Sequence, residues 1–110
     1  MSTLFTKIIN REIPGEIIYE DDHVVAFRDL EPKAPVHVLI VSRAEIGGLS
    51  SLPETGDHMY ILNAAMKIAQ QEGLKSGYRL VINDGPDAGQ SVPHLHAHLL
   101  GGRTLGWPPG

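Results

Sequence analysis

Apolar positions open the chain at helical spacing. In residues 4–10, Leu4, Phe5, Ile8 and Ile9 share one face, and Pro14-Gly15 closes the segment. Residues 16–20 and 23–28, rich in Ile and Val around Asp21-Asp22, predict two short strands joined by a turn. Residues 30–35 hold two prolines and read as a loop. Residues 36–42 then form a nearly continuous run of β-branched and aliphatic side chains, expected as a central strand covered on both faces. The segment 53–72 is the one long helical pattern. Pro53 suits its first turn, with Ser51 as a cap. Met59, Leu62, Ala65, Met66 and Ala69 form its apolar stripe, and Gly73 stands where a C-terminal cap belongs. Residues 78–84 predict a strand, 85–91 a glycine-punctuated loop, and 94–100 a further strand opened by Pro93. The tail 101–110 is too rich in Gly and Pro to be regular, and Trp107 within it is costly to leave in water.

Five strands with few intervening helices indicate an antiparallel sheet rather than βαβ units. The expected fold class is therefore α+β: a five-stranded antiparallel sheet with one long helix and a short N-terminal helix. A chain of 110 residues is expected to make one domain, 1–110. Its 42% hydrophobic and 20% charged residues are those of an ordinary soluble globule.

Charge and composition narrow the partners. A formal net charge of −4 supplies no basic footprint, so no nucleic acid is expected to bind. No apolar run reaches the ~20 residues that span a bilayer, so no membrane association is expected. Met1 leads directly into Ser-Thr-Leu-Phe without the apolar stretch of a secretion signal. The chain has no cysteine, which excludes a disulfide framework, a thiolate nucleophile and thiolate zinc sites. A reducing cytoplasm is the expected location. Against this background, 6 histidines, 12 glycines and 8 prolines need explaining.

Three histidines alternate with apolar residues in His94-Leu95-His96-Ala97-His98-Leu99-Leu100. On a strand, a period of two sets the imidazoles on one face, about 6.6 Å apart. Three readings of that face compete. It could be the polar side of a half-exposed strand. It could be a metal site, since imidazole suits zinc and copper, but the nearest acidic residues in sequence, Asp84 and Asp87, sit in the glycine-rich loop, and no metal or other cofactor is expected. Or one imidazole could act as a covalent nucleophile, available because free imidazole is largely neutral near physiological pH. The loop before it, Asn83-Asp84-Gly85-Pro86-Asp87-Ala88-Gly89-Gln90-Ser91, favours the third. Its glycines let backbone N–H groups approach an anion, and Gln90 and Ser91 end beside the histidines. The Walker pattern is absent, so Mg-dependent nucleotide triphosphate chemistry is not indicated.

The motif His94-Leu-His96-Ala-His98-Leu-Leu100 resembles that of the histidine triad superfamily. Gly89-Gln90-Ser91-Val92, Leu100-Gly101-Gly102-Arg103 and the Trp107-Pro108-Pro109-Gly110 end look like its Hint branch. Phe5-x-Lys7-Ile8-Ile9, Glu12-Ile13-Pro14, Ala26-Phe27-Arg28-Asp29 and Pro35-Val-His37 continue the likeness over almost the whole chain. The resemblance implies a homodimer and hydrolysis of purine nucleoside phosphoramidates, such as AMP on an amine, through a nucleotidyl-histidine intermediate. It makes His96 the nucleophile, held through its other ring nitrogen by the His94 backbone carbonyl. It sets His98, Ser91 and the Gly89–Ser91 backbone, Gln90 included, on phosphate oxygens or the leaving group, with Asn83 nearby. Asp29 would take the ribose hydroxyls. Leu4, Phe5, Ile8, Phe27 and Leu30 would line the base pocket. His37 would orient or relay behind the triad, and Trp107 would reach the partner's site. Pro93 stands where many Hint proteins carry an aromatic residue, which removes a donor beside the leaving group. Two alternatives are a dinucleoside polyphosphate hydrolase of the Fhit type and a purine-nucleotide-binding module without catalysis.

Overall fold

The computed structural model describes residues 3–110. Its elements in order are helix α1 (Leu4–Ile9), strands β1 (Ile17–Glu20), β2 (Val24–Arg28) and β3 (Val36–Ser42), helix α2 (His58–Gln71), and strands β4 (Tyr78–Val81) and β5 (His96–Gly101). The strands form one antiparallel sheet in the order β1-β2-β3-β5-β4, which is the α+β class expected from the sequence. Among the described residues, no helix is long and apolar enough to cross a membrane.

The alternation of side chains divides the sheet into two faces. Val24, Ala26, Val38, Ile40, Leu95, Ala97 and Leu99 pack under α2, while Val25, Phe27, Leu39 and Val41 meet Phe5 and Ile8 of α1 on the other face. The β3 run is buried because it lies mid-sheet with a helix on each side. Register fixes the site: His98 pairs with Leu39 and His96 with Val41. Even-numbered positions of β5 therefore share the α1 face with odd-numbered positions of β3.

The long helix differs from expectation at its start and its phase. A short 3₁₀ turn occupies Leu49–Ser51, and α2 begins only at His58, where Ile61 N–H reaches Asp57 O at 3.0 Å. Gly56 accounts for the delay, since glycine in a helix interior costs about 1 kcal/mol relative to Ala. The buried stripe is Ile61, Ala64, Ala65, Ile68 and Ala69, whereas Met59, Leu62 and Met66 face outward. Both stripes have helical spacing, and small Ala residues let the backbone approach the sheet. Gly73 does end the helix, in the left-handed region at φ 71°, with Leu74 N–H bonded to Ala69 O at 2.9 Å. At α1, the chain turns out through Arg11 at φ 60°, before Pro14-Gly15.

Two further boundaries move. The β4 ladder ends where Val81 pairs with His98, so residues 82–84 peel away to begin the loop. The β5 ladder begins at His96, which leaves His94 outside the strand it was expected to open.

Candidate active site

His96 enters the site from the first position of β5. Its Nδ1 lies 2.6 Å from the His94 carbonyl, which can only accept, so Nδ1 carries the hydrogen and Nε2 keeps its lone pair. The ring is pinned edge-on by Phe5, with centroids 4.8 Å apart and planes at 78°. Phe5 in turn meets Phe27 at 5.6 Å, so α1 and β2 jointly hold the imidazole. Burial keeps His96 below the ordinary imidazole value, against the opposing pull of its bond to the His94 carbonyl. The nitrogen is thus neutral at physiological pH.

His98 stands two residues on, its ring 5.1 Å from that of His96. His37, buried on β3, places Nε2 3.0 Å from His98 Nδ1. The Lys33 backbone N–H donates to His37 Nδ1 at 3.0 Å. A neutral His37 therefore bears its hydrogen on Nε2 and donates to His98 Nδ1. That leaves His98 with its hydrogen on Nε2. Burial, with His96 and His37 as neighbours, pushes His98 down to about 4. Burial likewise lowers His37, with nearby Asp29 acting in the opposite sense. Asp29 is itself oriented: Oδ1 accepts the Glu31 N–H at 2.8 Å and Oδ2 lies 3.4 Å from His37 Nε2.

These rings open on a hollow of about 410 Å³ walled by Leu4, Phe5, Ile8, Phe27, Leu30 and Leu39, with Asp29, Ser91, His96 and His98 among its polar members. A larger hollow of about 570 Å³, between residues 73–79 and 102–105, contains no histidine and none of the expected site residues. The smaller one has an apolar end, a carboxylate and two neutral imidazoles. That arrangement suits a flat ring joined through a polyol to a phosphoryl group.

Nine expected residues meet in this hollow: Leu4, Phe5, Ile8, Phe27, Asp29, Leu30, Ser91, His96 and His98. Leu30 does so from the rim, 86% exposed, so it covers the hollow rather than filling the core. His37 stands behind His98. His94 is fully buried and holds His96 through its carbonyl. Asn83, Gly89, Gln90 and Trp107 do not line the hollow, and their surroundings explain it. The Gln90 amide binds its own loop: Oε1 accepts Gly85 N–H at 2.9 Å, and Nε2 donates to Gly47 O at 2.7 Å and Val92 O at 3.1 Å. Gly89, at φ 85°, turns the chain out of the Pro86–Ala88 3₁₀ turn. Asn83 lies just past β4. Trp107 is 80% exposed, with the Arg79 guanidinium 5.7 Å over its ring.

Sequence reasoning missed the residues that fasten His94. The Thr3 hydroxyl lies 2.7 Å from His94 Nδ1, and the Ser42 carbonyl lies 2.6 Å from Nε2. Thr3 caps α1, and nothing in its sequence position announces a contact 91 residues away.

Asp29, His37 and His98 also bring three ligand-type atoms within 4.8 Å of one another. The hydrogen-bond pattern does not fit a metal there. A metal-binding imidazole donates through its free nitrogen, whereas His37 Nδ1 accepts from Lys33 and so keeps a hydrogen on Nε2, the atom facing the cluster.

Fold and site define an α+β protein whose register-spaced histidines face an apolar, carboxylate-edged hollow. The chain belongs to the HIT domain family, whose model matches residues 10–105. It is 45% identical to a HIT family hydrolase from Legionella pneumophila, at a TM-score of 0.94 over 99% of this chain and 100% of that one. It is 50% identical to the Adenylylsulfatase HINT1 of Arabidopsis thaliana, covering 98% of this chain and 76% of that protein. It is 52% identical to a 14 kDa zinc-binding protein of Zea mays, covering 98% and 88%. Its function, at this level, is that of a HIT-family hydrolase.

Proposed function

We propose that this protein hydrolyses purine nucleoside phosphoramidates, with AMP on an amine as the type substrate, through a nucleotidyl intermediate on His96. The observation that carries the reading is the 2.6 Å bond from His96 Nδ1 to the His94 carbonyl, which leaves a neutral, aimed Nε2. In the first step Nε2 attacks phosphorus, the P–N bond breaks, and the amine leaves with a proton drawn from water at the rim where Ser91 stands. The positive charge that forms on the substituted imidazole is met by the His94 carbonyl. His98 donates its Nε2 hydrogen to a phosphoryl oxygen. In the second step water attacks the same phosphorus, the P–Nε2 bond breaks, and the surplus proton returns to solvent. Asp29 accepts from the ribose hydroxyls, and the base lies between Phe5, Ile8, Phe27 and Leu30. Mass spectrometry of enzyme quenched during turnover tests this directly. A mass gain of one AMP on the peptide carrying residues 94–98 supports it, and turnover without that adduct overturns it.

The Arabidopsis relative's name favours a second leaving group, sulfate, on the same adenylyl phosphorus. The intermediate would be identical, so comparing rates for an AMP amide and adenylyl sulfate ranks the two without disturbing the role of His96. The name of the maize relative carries less weight for this chain, because the Lys33 bond to His37 opposes a metal at the cluster. Exhaustive chelation is expected to leave turnover unchanged.

Two copies of the chain are proposed to pair along β4. That strand is a free sheet edge, and beside it Met59, Leu62, Met66, Tyr78 and Leu80 form an outward apolar hollow. Trp107, under the Arg79 guanidinium, stands at the same strand on the opposite, histidine-bearing face, and would then reach toward the partner's site.

A further inference from the structure

Thr3 carries several bonds at the head of α1. Its side-chain oxygen accepts the Thr6 N–H and its own N–H donates to Thr6 Oγ1, both at 3.2 Å, which closes a capping box. Thr6 directs its hydroxyl hydrogen to Glu45 Oε1 at 3.1 Å. The Thr3 hydroxyl hydrogen is left for His94 Nδ1, at 2.7 Å. On the opposite side of that ring, Nε2 faces the Ser42 carbonyl at 2.6 Å and must donate to it. His94 is thereby a fully buried imidazole with a fixed tautomer and both nitrogens occupied.

That fastening matters because of where His94 sits. It precedes the first ladder pair of β5, His96 with Val41, so sheet register does not set the direction of its carbonyl. Yet this carbonyl receives the His96 Nδ1 hydrogen. The peptide that follows is held by Leu95 N–H, which donates to Ile46 O at 2.6 Å, and the ring's two bonds, one to α1 and one to the end of β3, fix the same residue through its side chain.

We propose that Thr3 is a positioning residue for the His96 nucleophile, acting through the His94 ring; this rests on the AMP-transfer reading above. One hydroxyl then serves both halves of the site. It caps the helix whose Phe5 and Ile8 wall the hollow, and it fixes the residue that aims the nucleophile.

Thr3→Asp separates these roles, because a carboxylate caps a helix well but cannot donate to His94. Thr3→Ser keeps both. With an AMP amide, Thr3→Asp is expected to lower kcat by about ten- to a hundred-fold with KM little changed, and Thr3→Ser to retain wild-type kcat. An unchanged kcat in Thr3→Asp would mean Thr3 is a helix cap alone and would overturn the proposal. Nitrogen-15 NMR of the imidazoles supplies a readout that needs no turnover: the His96 Nδ1 hydrogen should exchange slowly in wild type and Thr3→Ser, and rapidly in Thr3→Asp. Equal exchange in all three also overturns it. Should wild type fail to hydrolyse any AMP derivative, the AMP-transfer reading falls, and the spectra alone decide the role of Thr3. If Thr3→Asp does not fold, Thr3→Gly, a tolerated cap without a hydroxyl, takes its place in both measurements.

Discussion

His37 Nε2 stands 3.0 Å from His98 Nδ1, and that bond decides which nitrogen of His98 can serve a substrate. The Lys33 amide begins the chain of preference, His37 transmits it, and His98 is left with a donor on its far side. A His37→Phe variant removes the transmission while filling the buried space. Turnover of an AMP amide is expected to fall by about 10²-fold, with AMP affinity changed far less. His37→Gln, whose amide can donate to His98, should recover part of the rate. Steady-state kinetics beside AMP titration checks both: equal loss in the two variants would refute the donated hydrogen as the cause, and no loss in either would remove His37 from the site.

His96→Ala deletes the proposed nucleophile without touching the apolar wall. Turnover is expected to fall by about four orders of magnitude or more, while AMP still binds and protects the protein against heat. A variant retaining wild-type kcat would show that another group attacks phosphorus.

Acid should act through the lowered imidazoles. Nucleophilic attack needs neutral His96, whose folded value is depressed by burial. The kcat/KM profile is therefore expected to stay level down through about pH 6.5, the free imidazole value, and to fall only below it. Stability follows the same sign. A histidine with a lowered folded value takes its proton more readily when unfolded, so its contribution is complete above the unfolded value and drains as pH falls toward about 4, the value of His98. Denaturant titrations across that window check the slope, and an acid limb above pH 6.5 would contradict it.

Phe5→Ala should be felt twice. Phe5 is buried in the α1-side core and pins the His96 ring. Thermal and denaturant unfolding should show a loss of about 3–5 kcal/mol, and kinetics on the remaining folded protein should show both a raised KM and a lowered kcat. A stability loss alone would reduce Phe5 to packing.

Met66→Glu places a charge on the outward stripe of α2, where Met66 is 55% exposed beside Leu62, Tyr78 and Leu80. Sedimentation velocity is expected to show wild type as a dimer and the variant as a smaller species of unchanged secondary structure. An unaltered sedimentation coefficient would move the pairing surface elsewhere.

The period-two histidines and the aliphatic run of 36–42 made the central strands and their chemical face legible in sequence, because alternation marks the first and an unbroken β-branched run the second, and both are local signals. The phase of α2 was not, since Ile61 with Ile68 and Met59 with Met66 each satisfy helical spacing, and only the shape of the sheet chooses between them. For Gln90 the family resemblance implies a phosphate contact through the backbone and says nothing of its side chain. That side-chain amide stitches the glycine-rich loop to Gly47, a pairing across the chain that no local pattern encodes. The same holds for Thr3, whose partner His94 is distant in sequence and adjacent in space.

Along β5, Ala97 and Leu99 point into the core beneath α2 while His96 and His98 point into the hollow. Folding and chemistry are thus interleaved at single-residue spacing rather than assigned to separate stretches of the chain. Selection on one can change odd positions while the even ones stay untouched. A saturation library over residues 95–99 would accordingly separate with a period of two, melting temperature responding at 95, 97 and 99 and rate per folded molecule at 96 and 98.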